Sequence, residues 1–149
     1  MVRSAESVVI SRSAEEVFRY VADLRNEPNW HVDIAAVPAD TDPVPVVGKV
    51  YPLTFKPFMG KTSGTFTALE VDQGRLIVYR GDFAGLQPQI TYTVEPDANG
   101  SRFTRAVDMR PTGVRVLMTP MMALMVPRRN KVFVQNLKRA LEGQSPSAM

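Results

Sequence analysis

Between Gly48 and Pro111 the chain alternates apolar and polar residues in short runs, each closed by a turn signal, with no helical period between them. Residues 49–56 carry Val50, Leu53 and Phe55, and residues 61–71 carry Phe66, Leu69 and Val71. After the turn Asp72-Gln73-Gly74, residues 75–83 place Ile77, Tyr79, Gly81 and Phe83 on one face. Ile90, Tyr92 and Val94 alternate over residues 89–95, and beyond Pro96-Asp97-Ala98-Asn99-Gly100 the return run 102–110 aligns Phe103, Arg105, Val107 and Met109. Consecutive strands joined by tight turns cannot pair in parallel, so the spacing predicts an antiparallel meander.

The flanks supply what covers that sheet. Val8, Val9 and Ile10 predict a first strand over residues 2–11, and Ser13-Ala14-Glu15-Glu16 fits a capping box opening a helix. That helix should run to about Leu24, with Val17, Val21 and Leu24 on one face. Pro28 limits it and can begin a second short helix over residues 28–36, before Pro38, Pro43 and Pro45 mark an irregular connection. After Pro111-Thr112-Gly113 the rest reads as one long helix to about Glu142, with Phe133, Leu137, Ala140 and Leu141 as its later apolar stripe. Thr119 suits an N-cap before Pro120. Pro127 predicts a kink or break over residues 123–126, because it removes a backbone donor and crowds the preceding turn. The order is α+β: a curved antiparallel sheet, two short helices after its first strand, and a long C-terminal helix filling the concave face. At 149 residues there is room for one compact domain, expected over residues 1–143, with 144–149 as a flexible tail.

Composition mainly excludes. With no cysteine there is no disulfide, thiolate metal site or cysteine nucleophile. Eighteen bases against 15 acids give a net charge of +3, too small and too interspersed to call for nucleic acid. The apolar run 114–126 is broken by Arg115 and Pro120 and falls short of the roughly 20 residues a spanning helix needs, so stable membrane insertion is not expected. The polar opening residues 1–7 show no secretory signal, and a cytoplasmic location is the expectation. One histidine and scattered carboxylates make no metal loop, no serine-triad motif accompanies His31, and Met59-Gly60-Lys61-Thr62-Ser63-Gly64 lacks phosphate-loop spacing and reads as a hairpin turn.

A few residues are candidates for chemistry. His31 reads as a surface or rim residue before it reads as a general base, although its type suits that task. Trp30 beside it reads first as a plug next to the first helix. Met118, Met121, Met122 and Met125 either fill a core or line a pliable pocket, since methionine adapts to irregular apolar partners. Arg105 shares its face with apolar neighbours and either lies along the sheet or points inward to a ligand carboxylate or carbonyl. Tyr79 and Tyr92 are alternative hydroxyl donors.

Ser13-Ala14-Glu15-Glu16-Val17-Phe18, then Val21-Ala22-Asp23-Leu24, then Asn26-x-Pro28-x-Trp30 resembles the opening of the SRPBCC superfamily. It is most similar to the bacterial polyketide cyclase/dehydrase-like proteins, relatives of START lipid-transfer domains and birch-pollen allergens. Arg110-Pro111-Thr112-Gly113 before the long helix agrees with that likeness. The resemblance implies a helix-grip fold with a deep, mostly apolar cavity between sheet and helix. Its expected lining is Trp30, Phe55, Phe66, Tyr79, Tyr92, Phe103, Arg105, Val107, Met118, Met122 and Met125. The function expected is binding of a hydrophobic small molecule such as a lipid, isoprenoid or polyketide-like aromatic. The alternative is a cyclase or dehydratase acting in the same cavity, with Arg105, Tyr79 or Tyr92 polarising a carbonyl. No catalytic residue, cofactor or metal is assigned, and a homodimer through the sheet edge is left open.

Overall fold

The protein is described here by a computed structural model that covers residues 1–143, so the tail expected over 144–149 lies outside the described residues. Strand β1 (Val2–Ile10) leads to helix α1 (Ala14–Ala22) and a 3-10 segment, Leu24–Asn29. Strands β2 (Ile34–Ala36), β3 (Val50–Phe58), β4 (Lys61–Asp72), β5 (Leu76–Phe83), β6 (Gln89–Asp97) and β7 (Gly100–Met109) follow. A second 3-10 segment, Gly113–Met118, runs directly into helix α2 (Thr119–Glu142). The strands form one 7-stranded sheet in the order β1-β7-β6-β5-β4-β3-β2. Every pairing is antiparallel. This is the helix-grip arrangement, a curled sheet around the C-terminal helix.

Local chemistry explains the elements. Ser13 Oγ accepts from the Glu16 amide at 3.2 Å, closing the first turn of α1, while the Glu16 carboxylate faces Arg12 Nε at 3.6 Å. Asp23 ends α1 and caps the 3-10 segment through its Oδ1, which accepts from the Arg25 amide at 3.0 Å. The second helical piece therefore lies earlier than its proline suggests, with Pro28 inside it, and residues 34–36 join the sheet against β3. The two-residue turn Met59-Gly60 has positive φ at both positions, which matches the twist of the β3–β4 hairpin. Register shifts between Thr54 and Phe58 and between Ala68 and Glu70 add local bends to the sheet.

Alternation puts Phe66, Ala68, Ile77, Tyr79, Tyr92, Val94 and Phe103 on the concave face, where α1 adds Val17, Phe18 and Val21 and α2 adds Phe133, Val134, Leu137 and Leu141. A second, smaller apolar cluster gathers Val2, Leu86, Met109 and Met122, with Phe58, Met118, Met125 and Val126 packed on it. The first half of α2 is thus only partly covered: Met121 and Leu124 are exposed, as is Leu117 just before it. Helix α2 begins one residue earlier than expected, with Thr119 as its first residue and Met118 rather than Thr119 at the cap position, and it continues through Pro127 without a break. Buried Met122 and Asn130 pin the helix on either side of that proline, so tertiary packing offsets the lost hydrogen bond.

Replacing the cap, Ser13→Ala, is expected to lower stability by about 1 kcal/mol. Urea unfolding of the two proteins measures this, and an unchanged midpoint would show that the α1 cap contributes nothing.

Candidate functional site

The two apolar clusters do not merge, and a cavity of about 160 Å³ lies where they meet. Phe55, Phe66, Ile90 and Phe133 line it from the larger cluster, and Leu86, Met109, Met125 and Val126 from the smaller. Gly81, Asp82, Phe83, Pro88 and Val107 complete the sheet side, and His31, Asp33, Arg105 and Arg129 supply the remaining polar groups. Each wall follows from its element's period. Arg105, Val107 and Met109 are alternate residues of β7, whereas Met125, Val126, Arg129 and Phe133 recur at helical spacing on α2. One glycine is required: a Cβ at Gly64 would stand 2.6 Å from Phe55 Cε1 and 2.9 Å from the Asp82 carbonyl. Its absence lets Phe55 stack on Phe83 with ring centroids 4.3 Å apart and form that wall.

The cavity differs in character at its two ends. Arg129 and Asp33 are partly exposed and pair at the mouth, Nη2 to Oδ1, at 2.6 Å. At the inner end a chain of buried polar groups meets the apolar surface. Glu27, in the first 3-10 segment, is fully buried, and its carbonyl accepts from the Trp30 and His31 amides at 3.0 and 2.7 Å. That turn brings the side chains of Glu27 and His31 together, with Nδ1 2.9 Å from Oε1. The Tyr92 hydroxyl donates to the same Oε1 at 2.9 Å. Arg105, only 4% exposed, donates from Nη1 to Asn130 Oδ1 at 3.0 Å and places Nη2 3.5 Å from His31 Nε2. Asn130 is fixed in turn by donating to the Arg105 carbonyl at 2.9 Å and to Ser4 Oγ at 3.1 Å.

This network assigns its own protons. A guanidinium can only donate, so the 3.5 Å approach of Arg105 favours the His31 tautomer with its lone pair on Nε2 and its proton on Nδ1, facing Glu27 Oε1 at 2.9 Å. Burial pushes the Glu27 carboxyl up to about 8, outweighing the opposing hydrogen bond from Tyr92 and the charge of Arg105. Burial, helped by Arg105 and Arg129, holds His31 well below its usual range. Tyr92 is driven well above its ordinary value, first by burial and then by Glu27. At neutral pH, then, Glu27 carries its proton, His31 and Tyr92 are uncharged, and Arg105 is the ionised member of the chain. Glu27 Oε2, Arg105 Nε, Trp30 Nε1 and Tyr79 Oη are buried without partners.

Of the residues singled out from the sequence, Phe55, Phe66, Arg105, Val107 and Met125 border the cavity. Trp30, Tyr79, Tyr92 and Phe103 do not: they are almost fully buried in the larger cluster, where Trp30 lies 5.5 Å from Tyr92 and 5.8 Å from Phe103 between ring centroids. Met122 is buried beneath the smaller cluster and Met118 packs on its edge, so neither borders the cavity. Met121 is largely exposed. His31 is not a surface residue. It is 5% exposed and borders the cavity, because its turn faces the sheet. Glu27 and Asn130 carry no local sequence signal of a place in the site. The Glu27–His31 spacing of four was visible, but nothing in an acid beside Pro28 announces complete burial. Among the described residues no three His, Asp or Glu side chains converge in a way that could hold a metal, and no helix is long and apolar enough to cross a membrane.

Comparison with known proteins supplies a frame for this geometry. A family model described as polyketide cyclase/dehydrase and lipid transport matches residues 1–142. No curated protein matches the chain. Among solved structures, DynU16, a protein of the dynemicin biosynthetic locus, is 17% identical with a TM-score of 0.70, over 99% of this chain and 49% of that one. The chain thus spans about half the length of DynU16. Protein CV1439 of Chromobacterium violaceum is 18% identical with a TM-score of 0.71, over 95% of this chain and 99% of that one. The Aha1 dimer of Colwellia psychrerythraea is 17% identical with a TM-score of 0.67, over 97% of this chain and 100% of that one. Identities this low establish the shared fold alone.

The buried acid also sets a pH dependence. Glu27 keeps its proton in the folded chain up to about 8 but loses it near 4.5 when unfolded, so over that interval its contribution to stability falls as pH rises. His31, depressed when folded, contributes the opposite slope, which ends near 6.5 where the unfolded imidazole has lost its proton. Stability is therefore expected to fall between pH 6.5 and 8, by up to about 1.4 kcal/mol per pH unit. Glu27→Gln should flatten that decline. Chemical denaturation across this range tests it, and an equal slope in both proteins would place the titration elsewhere.

Proposed function

The chain belongs to the polyketide cyclase/dehydrase and lipid transport family, and on that premise we propose that its cavity binds a small, largely apolar organic molecule. The observation that carries this reading is the space between the two clusters, about 160 Å³ and lined mainly by Phe, Met, Val, Leu and Ile side chains. An apolar cavity of roughly 150 Å³ takes up benzene, so this volume suits an occupant of about one ring. Binding draws on apolar burial at about 25 cal/mol per Å², with the few polar groups at the inner end fixing orientation. An extended lipid or a folded polyketide chain requires pockets of roughly 300–1,000 Å³ and fits only if α2 moves away from the sheet.

A second reading rests on Arg105. A guanidinium at the inner end of the cavity can polarise a carbonyl oxygen, as cyclase or dehydratase chemistry would need, but the neighbouring His31 Nε2 already faces Arg105 and is weakened as a base by burial and by Arg105 and Arg129. The cavity volume favours the binding reading over it.

Toluene and indole are expected to raise the melting temperature of the protein saturably, equivalent to about 2.7 kcal/mol at a concentration one hundred times Kd. Val107→Phe, which fills the space from β7, should abolish that shift. A thermal-shift titration with ligand-observed NMR checks both, and equal binding to the filled variant would show that the ligand sits elsewhere.

A further inference from the structure

Two guanidiniums border the cavity, and they differ in one decisive respect. Arg129 at the mouth is neutralised by Asp33, with N–O distances of 2.6 and 3.4 Å. Arg105 at the inner end is buried, and its hydrogen-bond partners, Asn130 Oδ1 and His31 Nε2, are both uncharged. Among the described residues no carboxylate forms an ion pair with it, and its Nε is buried without any partner. Glu27, the acid on the same network, gives Oε1 to His31 and Tyr92 and does not contact the guanidinium. Asp82, the other acid of the lining, is exposed at the rim and takes the Gln87 amide at 3.3 Å.

We propose that the occupant of the cavity is a small aromatic or branched aliphatic carboxylic acid, bound as its anion with the carboxylate turned inward onto Arg105. The inference rests on the binding reading above and names the ligand class for it. A buried cation with no counter-charge is among the least favourable groups a protein interior can hold, and an anion delivered by the ligand supplies what the fold omits. A neutral carbonyl would give the guanidinium a further hydrogen bond but leave its charge uncompensated. A carboxylate satisfies both, since guanidinium and carboxylate match as a planar pair with charge-assisted hydrogen bonds. Phe133 already lies 5.1 Å from the Arg105 guanidinium carbon and holds it in place from α2. The ligand's apolar body then lies toward the mouth, between the stacked Phe55–Phe83 pair and Met125.

The test compares benzoate, benzamide and toluene as ligands of the full chain at pH 6.5, using calorimetry or ligand-observed NMR. These probes share one ring and differ at the group offered to Arg105. Benzoate is expected to bind roughly ten-fold or more tightly than benzamide. Arg105→Gln should remove that preference while toluene continues to bind, which also shows that the variant is folded. Benzamide binding as well as benzoate in the unaltered protein, or a benzoate preference that survives in Arg105→Gln, overturns the proposal and leaves the cavity reading standing. Should toluene and both polar probes fail to bind the unaltered protein, the cavity reading falls and this inference with it.

Discussion

The contact between the second half of α2 and the concave face of the sheet governs everything else in the molecule. Phe133, Val134, Leu137 and Leu141 turn into the bowl of the sheet from a helix that lies closest along β1 and β7, and the aromatic group Trp30, Tyr92 and Phe103 packs there with them. These large side chains leave no room at that end. Toward its N-terminus the helix carries Met122, Met125 and Val126, which rest on a separate patch with Val2, Leu86 and Met109. The helix therefore spans two cores, and the sheet cannot close tightly on both. The cavity is the space left between them, which explains why residues of both clusters form its walls.

Into that seam the fold places a polar chain that hydrophobic packing alone would have excluded. Ser4, Asn130, Arg105, His31, Glu27 and Tyr92 link β1, α2, β7, the turn after α1 and β6 through successive contacts. Part of the chain is satisfied, and part is not: one oxygen of Glu27 and one nitrogen of Arg105 lack partners. Incompletely satisfied buried networks lower stability, and proteins retain them where they act on something. Here Arg105, whose Nε has no partner, also borders the cavity, together with His31.

The meander, the capped first helix and the closing helix were legible because each depends on local rules of alternation, capping and turn chemistry. Arg105 was placed on an apolar face for the same reason, by counting along β7. What alternation cannot supply is how far along the sheet the space lies. Tyr79, Tyr92 and Phe103 point inward as their period requires, but they fill the bowl rather than line a hollow, and only the three-dimensional meeting of the clusters decides that. Glu27 shows the other limit. It precedes Pro28 in a segment where a charged residue reads as solvated, and its burial follows from the 3-10 turn lying against β6, a long-range fact with no local signature. The continuity of α2 through Pro127 is a third case, in which buried anchors on both sides overrode a strong local preference.

That proline has a bearing on how a guest reaches an enclosed space. Residue 127 offers no amide hydrogen to the Ala123 carbonyl four positions earlier, so that interior turn of α2 lacks one of its backbone hydrogen bonds. Met125 and Val126, on that turn, are also cavity wall. The turn that lacks this bond is thus also a wall of the container, next to the Arg129–Asp33 pair, and local opening there gives up one hydrogen bond fewer than opening an unbroken turn.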